Sequence, residues 1–220
     1  MGCIVPTPGL RMLNPLFFPG LKVWWDPARL VAGSGDYLDL SGNAETGANV
    51  SVTIVAGVAN GRPVGRYDGV TSITSCPLFS PNKDFSSFIV LKLPAPAGNQ
   101  IGWVRTGAAQ QILTANAAEN LACFDGANHP TSVVIDYDTK FTSIGVVCTN
   151  GTCVFYRNGV ILGNAIGGVL NNILNIGFFG AVGAFFSAFD LAETVFYTSV
   201  LNATQITVLN EYFRSKFALV

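Results

Sequence analysis

The sequence predicts an all-β protein, a two-sheet antiparallel jelly-roll sandwich with one C-terminal helix. Three observations predict it. Short runs of β-branched and aromatic residues recur along the chain, separated by Gly, Asn, Asp and Pro. Within Phe141–Leu162, two Asn-Gly pairs, Asn150-Gly151 and Asn158-Gly159, fall between such runs, where a type I′ hairpin turn needs positive φ at both central positions. Helical spacing of apolar residues begins only after Asn202.

Residues 1–20 read as an arm apart from the jelly-roll domain of residues 21–220. Pro6, Pro8, Pro15 and Pro19 interrupt Leu10, Leu16, Phe17 and Phe18, which prevents a regular helix or a central strand. Such an arm either docks on a partner or covers an edge of its own domain. Leu21–Trp25 reads as the first strand, stopped by Asp26-Pro27. Tyr37–Leu40 runs into a Ser41-Gly42-Asn43 turn. Asn49–Val58 alternates as a half-buried strand, and Asp68-Gly69 reads as a hairpin turn between Val64–Asp68 and Val70–Ser75. Ser86–Leu93 is a fully buried run. Gln100–Thr106, Asn120–Phe124 and Thr131–Tyr137 follow. The two Asn-Gly turns predict a meander over about 142–149, 152–157 and 160–163. Ile173–Phe178 and Leu191–Tyr197 complete the strands. A helix over about 202–217 carries Ile206, Leu209, Phe213 and Phe217 on one face, Asn202 and Gln205 as its capping pair, and Arg214 and Lys216 in its last turn.

Composition narrows the setting. Half of the 220 residues are hydrophobic and only 11% are charged, against about 25% in an ordinary soluble domain. So few charges predict that part of the surface is buried against other subunits, as in a homo-oligomer. The net charge of −1 and the lack of a basic block argue against nucleic acid. No apolar stretch reaches the roughly 18 residues of a membrane span, and no charged-then-apolar leader is evident. The expectation is a protein made in the cytoplasm.

Candidate chemistry is sparse. Cys148 and Cys153 flank the Asn150-Gly151 turn and would face each other across a hairpin, either bridged or as two small buried hydrophobes; the odd total of five cysteines favours reduced thiols. Without Cys-x-x-Cys, and with His129 the only histidine, zinc is not expected. His129 precedes Pro130 in what reads as a loop. Asp39 and Asn43, Asp125 and Asn128, and Asp136 and Asp138 are oxygen pairs that could bind Ca²⁺ or stabilise turns and strand ends. Trp103 is the candidate aromatic platform for a sugar, or a core residue. Trp24 and Trp25 point to opposite faces of one strand, so at least one belongs to the core. A sandwich glycosidase needs two facing carboxylates, and none of Glu45, Glu119, Glu193 and Glu211 fits a Glu-x-Asp-x-x-Glu spacing.

Several segments are familiar in order along the chain: Gly20-Leu-Lys-Val-Trp-Trp-Asp26, Asp39-Leu-Ser-Gly-Asn43, Gly61-Arg-Pro-Val-Gly-Arg-Tyr-Asp-Gly69, Phe155-Tyr-Arg-Asn-Gly159, and Ala192-Glu-Thr-Val-Phe-Tyr197 followed by the terminal helix. Together they resemble concanavalin A-like, laminin-G-like jelly rolls of the type found in phage structural proteins. The resemblance covers residues 20–217. It implies a non-enzymatic virion component, a head decoration, tail or fibre protein, partnered by other virion proteins and by itself. A carbohydrate-binding adhesin for host glycans is the alternative on the same fold, and a glycoside hydrolase the third reading. No cofactor is expected beyond the Ca²⁺ these oxygen pairs could take.

Overall fold

The computed structural model describes residues 14–76, 84–93, 102–106, 110–113, 120–124, 128–134, 140–150, 152–166, 173–179 and 188–219, with side chains over 14–76, 84–93, 140–150, 152–163 and 188–219. Among these residues the strands form two sheets, one of nine strands and one of seven. The larger runs β14 (Val160–Ile166), β13 (Thr152–Arg157), β12 (Thr142–Thr149), β7 (Phe85–Lys92), β16 (Ala188–Tyr197), β1 (Leu21–Leu30) and β2 (Tyr37–Asp39). β5 (Arg62–Asp68) also pairs with β16, and β4 (Thr53–Ala59) with β5. The smaller runs β11 (Asn128–Val134), β10 (Asn120–Phe124), β9 (Gln110–Leu113), β8 (Gly102–Thr106), β15 (Ile173–Phe179), β6 (Ile73–Ser75) and β3 (Ala48–Val50). All of these pairings are antiparallel. The all-β sandwich with a C-terminal helix is therefore the architecture observed.

β16 organises the larger sheet. One edge pairs with β7 along its length; the other pairs with β5 from Ala188 to Leu191 and with β1 from Thr194 to Tyr197. Alternation then sends its side chains to two cores. Phe189, Leu191 and Phe196 join Val23, Trp25, Tyr37, Phe85, Ile89 and Leu91 on the face toward the second sheet, where the Tyr67 hydroxyl bonds Thr74 of β6. Ala192, Val195 and Tyr197 face the helix α1 (Ala203–Phe217) together with Val64, Phe88 and Val90. Ile206, Leu209, Phe213 and Phe217 are the helix's buried apolar residues, and Asn202 and Gln205 form a reciprocal capping box, as the spacing predicts. Trp25 is wholly buried between the sheets, and Trp24 packs edge-on against Tyr212 on the helix side.

Three expectations change. Asn49–Val58 is not one strand: Ser51 takes φ 54° and divides it into β3 and β4, which belong to different sheets. Asp68-Gly69 is not a hairpin but the corner at which the chain passes from β5 to β6. Asp68 there accepts the amides of Val70, Thr71 and Ser72 and the Thr71 hydroxyl. The Ser72 hydroxyl donates to Ser51 O at 2.7 Å, tying the two corners together. The first strand continues through Asp26-Pro27 to Leu30. Proline is tolerated because register with β2 shifts between Trp25 and Leu30, so its missing N–H interrupts no regular ladder.

The described end of the arm, residues 14–20, lies on its own domain. Asn14 caps a single 3-10 turn, Pro15–Phe17. Tyr197 Oη donates to Pro15 O, Ser199 Oγ to Pro19 O at 2.6 Å, and Thr198 N to Gly20 O at 2.8 Å. Leu16 and Phe17 remain exposed, at 51% and 60%. Residues 1–13 lie outside the described residues.

Candidate binding site

The oxygen-rich loop at Asp39 is held by its own chain. Asp39 Oδ1 accepts Trp24 N and Ser41 N, each at 3.0 Å; Oδ2 accepts Ser41 Oγ at 2.7 Å and Glu45 N at 3.0 Å. Asn43 Nδ2 donates to Leu21 O at 2.9 Å and Lys22 O at 3.2 Å. Of the two readings of this pair, the turn-stabilising one describes what these atoms do. Lys22 and Glu45 form an ion pair at 2.5 Å beside it.

A second polar group lies under α1. Glu193 is wholly buried, and its Oε1 accepts Trp24 Nε1–H at 2.5 Å and Tyr212 O–H at 2.8 Å. Lys216 Nζ donates to Glu193 Oε2 at 2.8 Å, Asp26 Oδ2 at 2.7 Å and Tyr212 Oη at 2.8 Å. Burial raises the Glu193 pKa above the ordinary carboxylate value, opposed by the Lys216 charge. The group links β1, β16 and α1, and the helix closes over it. Lys216 stands in the last turn with Arg214, as the spacing predicts, and is also a buried ion-pair partner.

The third group opens to solvent. Arg66, Asp190 and Lys92 are directly opposed on β5, β16 and β7. Arg66 Nε donates to Asp190 Oδ1 at 2.8 Å and Nη2 to Oδ2 at 2.9 Å, a bidentate pair. These three residues, with Tyr67, Ala188 and Phe189, line a cleft of about 220 Å³. Tyr67 and Phe189 are stacked with ring centroids 4.2 Å apart and planes 7° from parallel. Sequence reading missed this cleft and the Glu193 group. Their signal is a charge inside a buried strand: Asp190 and Glu193 interrupt an apolar run, and a buried charge requires a partner.

Trp103 lies on β8 of the second sheet, where register shifts with β9 between Gly102 and Val104; its side chain is outside the described residues. Asn128 and His129 open β11, opposite Phe124 and Cys123, so His129 belongs to a strand rather than to a loop. The Asn128 side chain and residues Asp125, Asp136 and Asp138 are outside the described residues. The described residues hold no group of three metal-ligating His, Cys, Asp or Glu side chains. Cys148 and Cys153 are buried, directly opposed on β12 and β13, and joined by a disulfide. The expectation of reduced thiols gives way to geometry here. The two-residue turn, with Asn150 at φ 48°, brings the Cα atoms to 4.1 Å.

No family model and no curated protein matches this chain. Solved structures do. The binding domain of Paraclostridial Mosquitocidal Protein 1 aligns over 88% of this chain and 52% of its own, at TM-score 0.63 and 17% identity. Trypanosoma rangeli sialidase aligns over 90% and 33%, at TM-score 0.64 and 15% identity. Domain 4 of an extracellular GH43 arabinanase from Geobacillus stearothermophilus, solved with arabinotriose, aligns over 87% and 98%, at TM-score 0.63 and 17% identity. The chain thus spans about half of the first and a third of the second. What the likeness establishes is the fold, a β sandwich.

Proposed function

We propose that this chain is a non-catalytic, lectin-like module that recognises carbohydrate. The observation that carries the reading is the match to the arabinanase domain, which was solved with arabinotriose and of which 98% is covered. The sandwich is thus similar in extent to a domain that holds a sugar. The described carboxylates support the non-catalytic half. Asp26, Asp39, Asp190 and Glu193 all take donors from their own chain, whereas a glycosidase needs two carboxylates directed at one bond. Titration calorimetry of the full chain with arabino-oligosaccharides and sialosides tests this. Saturable binding weakened by Trp103→Ala, with the saccharides recovered intact, supports it; hydrolysis or uniformly absent heats oppose it.

A second reading, a virion display module, is favoured by the arm. An undercharged chain whose Leu16 and Phe17 stand exposed beside a strapped proline segment has an apolar surface suited to other subunits. In that reading the domain is made in the host cytoplasm, assembles with other virion proteins and with itself, and presents its sandwich to host glycans. Light scattering of the full chain against one lacking residues 1–20 tests it: assembly by the full chain alone supports it, and two monomers oppose it.

A further inference from the structure

We propose that the Arg66–Asp190–Lys92 cleft binds a single carboxylate-bearing sugar residue. The inference rests on the carbohydrate reading and adds to it a place and a ligand class. The charge count supplies the first argument. Arg66 and Asp190 neutralise each other in their bidentate pair, and no hydrogen bond or ion pair holds the Lys92 ammonium among the described residues. The cleft therefore carries one uncompensated positive charge beside a fixed carboxylate. An anion is attracted, while the neighbouring Asp190 repels a second negative group.

The donors supply the second argument. A guanidinium has five N–H groups, and the pair with Asp190 uses two of them. The others, half exposed with the rest of the Arg66 side chain, join the Lys92 ammonium as donors to a carboxylate. The Asp190 oxygens retain lone pairs for ligand hydroxyls. A cation beside a fixed carboxylate acceptor suits a molecule that carries a carboxylate and vicinal hydroxyls together. Size supplies the third. Clefts that enclose drug-sized ligands hold about 300–1,000 Å³; at about 220 Å³, this one suits one sugar unit rather than a chain. The pairing across β5, β16 and β7 sets the backbones of the three residues side by side on paired strands, and the bidentate bond to Asp190 orients the Arg66 guanidinium.

The test titrates the full chain with glucuronate, glucose and acetate at low and moderate salt, for wild type and Lys92→Gln. The expected result is saturable glucuronate binding that weakens with salt. Glucose binds at least tenfold more weakly, acetate does not saturate over the same range, and Lys92→Gln loses at least tenfold at unchanged Tm. Equal affinity for glucose, equal affinity for acetate, or an unaffected Lys92→Gln variant would each overturn the assignment. Neutral saccharides binding where glucuronate does not would overturn it and leave the carbohydrate reading standing. Silence toward every saccharide would remove both.

Discussion

Lys216 Nζ lies 2.8 Å from Glu193 Oε2 beneath the last turn of α1, with the Glu193 side chain wholly buried and that of Lys216 10% exposed. The pair connects the C-terminal helix to the strand that organises the larger sheet. Removing one member strands the other's charge where water cannot reach it, which in buried pairs costs about 3–5 kcal/mol. Lys216→Met is expected to destabilise by an amount of that order, read as a lower urea midpoint. Glu193→Gln is expected to cost less, because Lys216 keeps Asp26 at 2.7 Å.

Acid sensitivity is expected at the β5–β6 corner. The Thr71 hydroxyl and the amides of Val70, Thr71 and Ser72 all bond Asp68 and hold its carboxyl well below the usual range. A depressed folded pKa contributes stability that is present above the unfolded pKa, about 3.9 for Asp, and lost as pH falls through the folded value. The wild-type urea midpoint should fall between pH 5 and pH 2. Asp68→Asn should have a lower midpoint at pH 6 and a shallower fall, the difference narrowing as pH drops.

The Cys148–Cys153 bridge closes a very short loop, for which the chain-entropy argument gives about 2 kcal/mol. Cys148→Ser/Cys153→Ser is expected to unfold at correspondingly lower denaturant. Mass spectrometry of the unreduced protein should show the two cysteines in one linked fragment. Both thiols alkylating in denaturant without reductant would contradict the bridge.

Gly145 is fixed by a ring. A Cβ there would lie 2.2 Å from Phe88, its partner across β12 and β7. The Phe88 and Tyr156 rings flank it at 6.3 Å between centroids. Gly145→Ala should cost about 1–3 kcal/mol by overpacking. Combined with Phe88→Leu, which clears the ring, the two changes should cost less than their sum.

Much of the architecture was legible because it follows from local rules. Asn150 and Asn158 take φ 48° and 49° in the two turns, and Asn202, Gln205 and the Ile206–Phe217 stripe delimit the helix closely. The corners at Ser51 and Asp68 were not legible. Alternation reads burial within a strand and is silent on which sheet the strand joins, and positive φ at a serine has no compositional signal. The charged groups were hidden for a related reason. Arg66, Lys92 and Asp190 are 26 to 124 residues apart in sequence, and only the pairing of β5, β16 and β7 brings them side by side. The disulfide stood between: the turn placed Cys148 and Cys153 opposite each other, while the odd cysteine count pointed to thiols.

The central claim is that this sandwich recognises carbohydrate without cleaving it. A glycan array probed with the full chain at physiological salt tests it most directly. The account predicts saturable binding to a defined set of saccharides, with acidic residues among them and the glycans intact after incubation. Silence across the array, or shortened glycans at the positions bound, would contradict it.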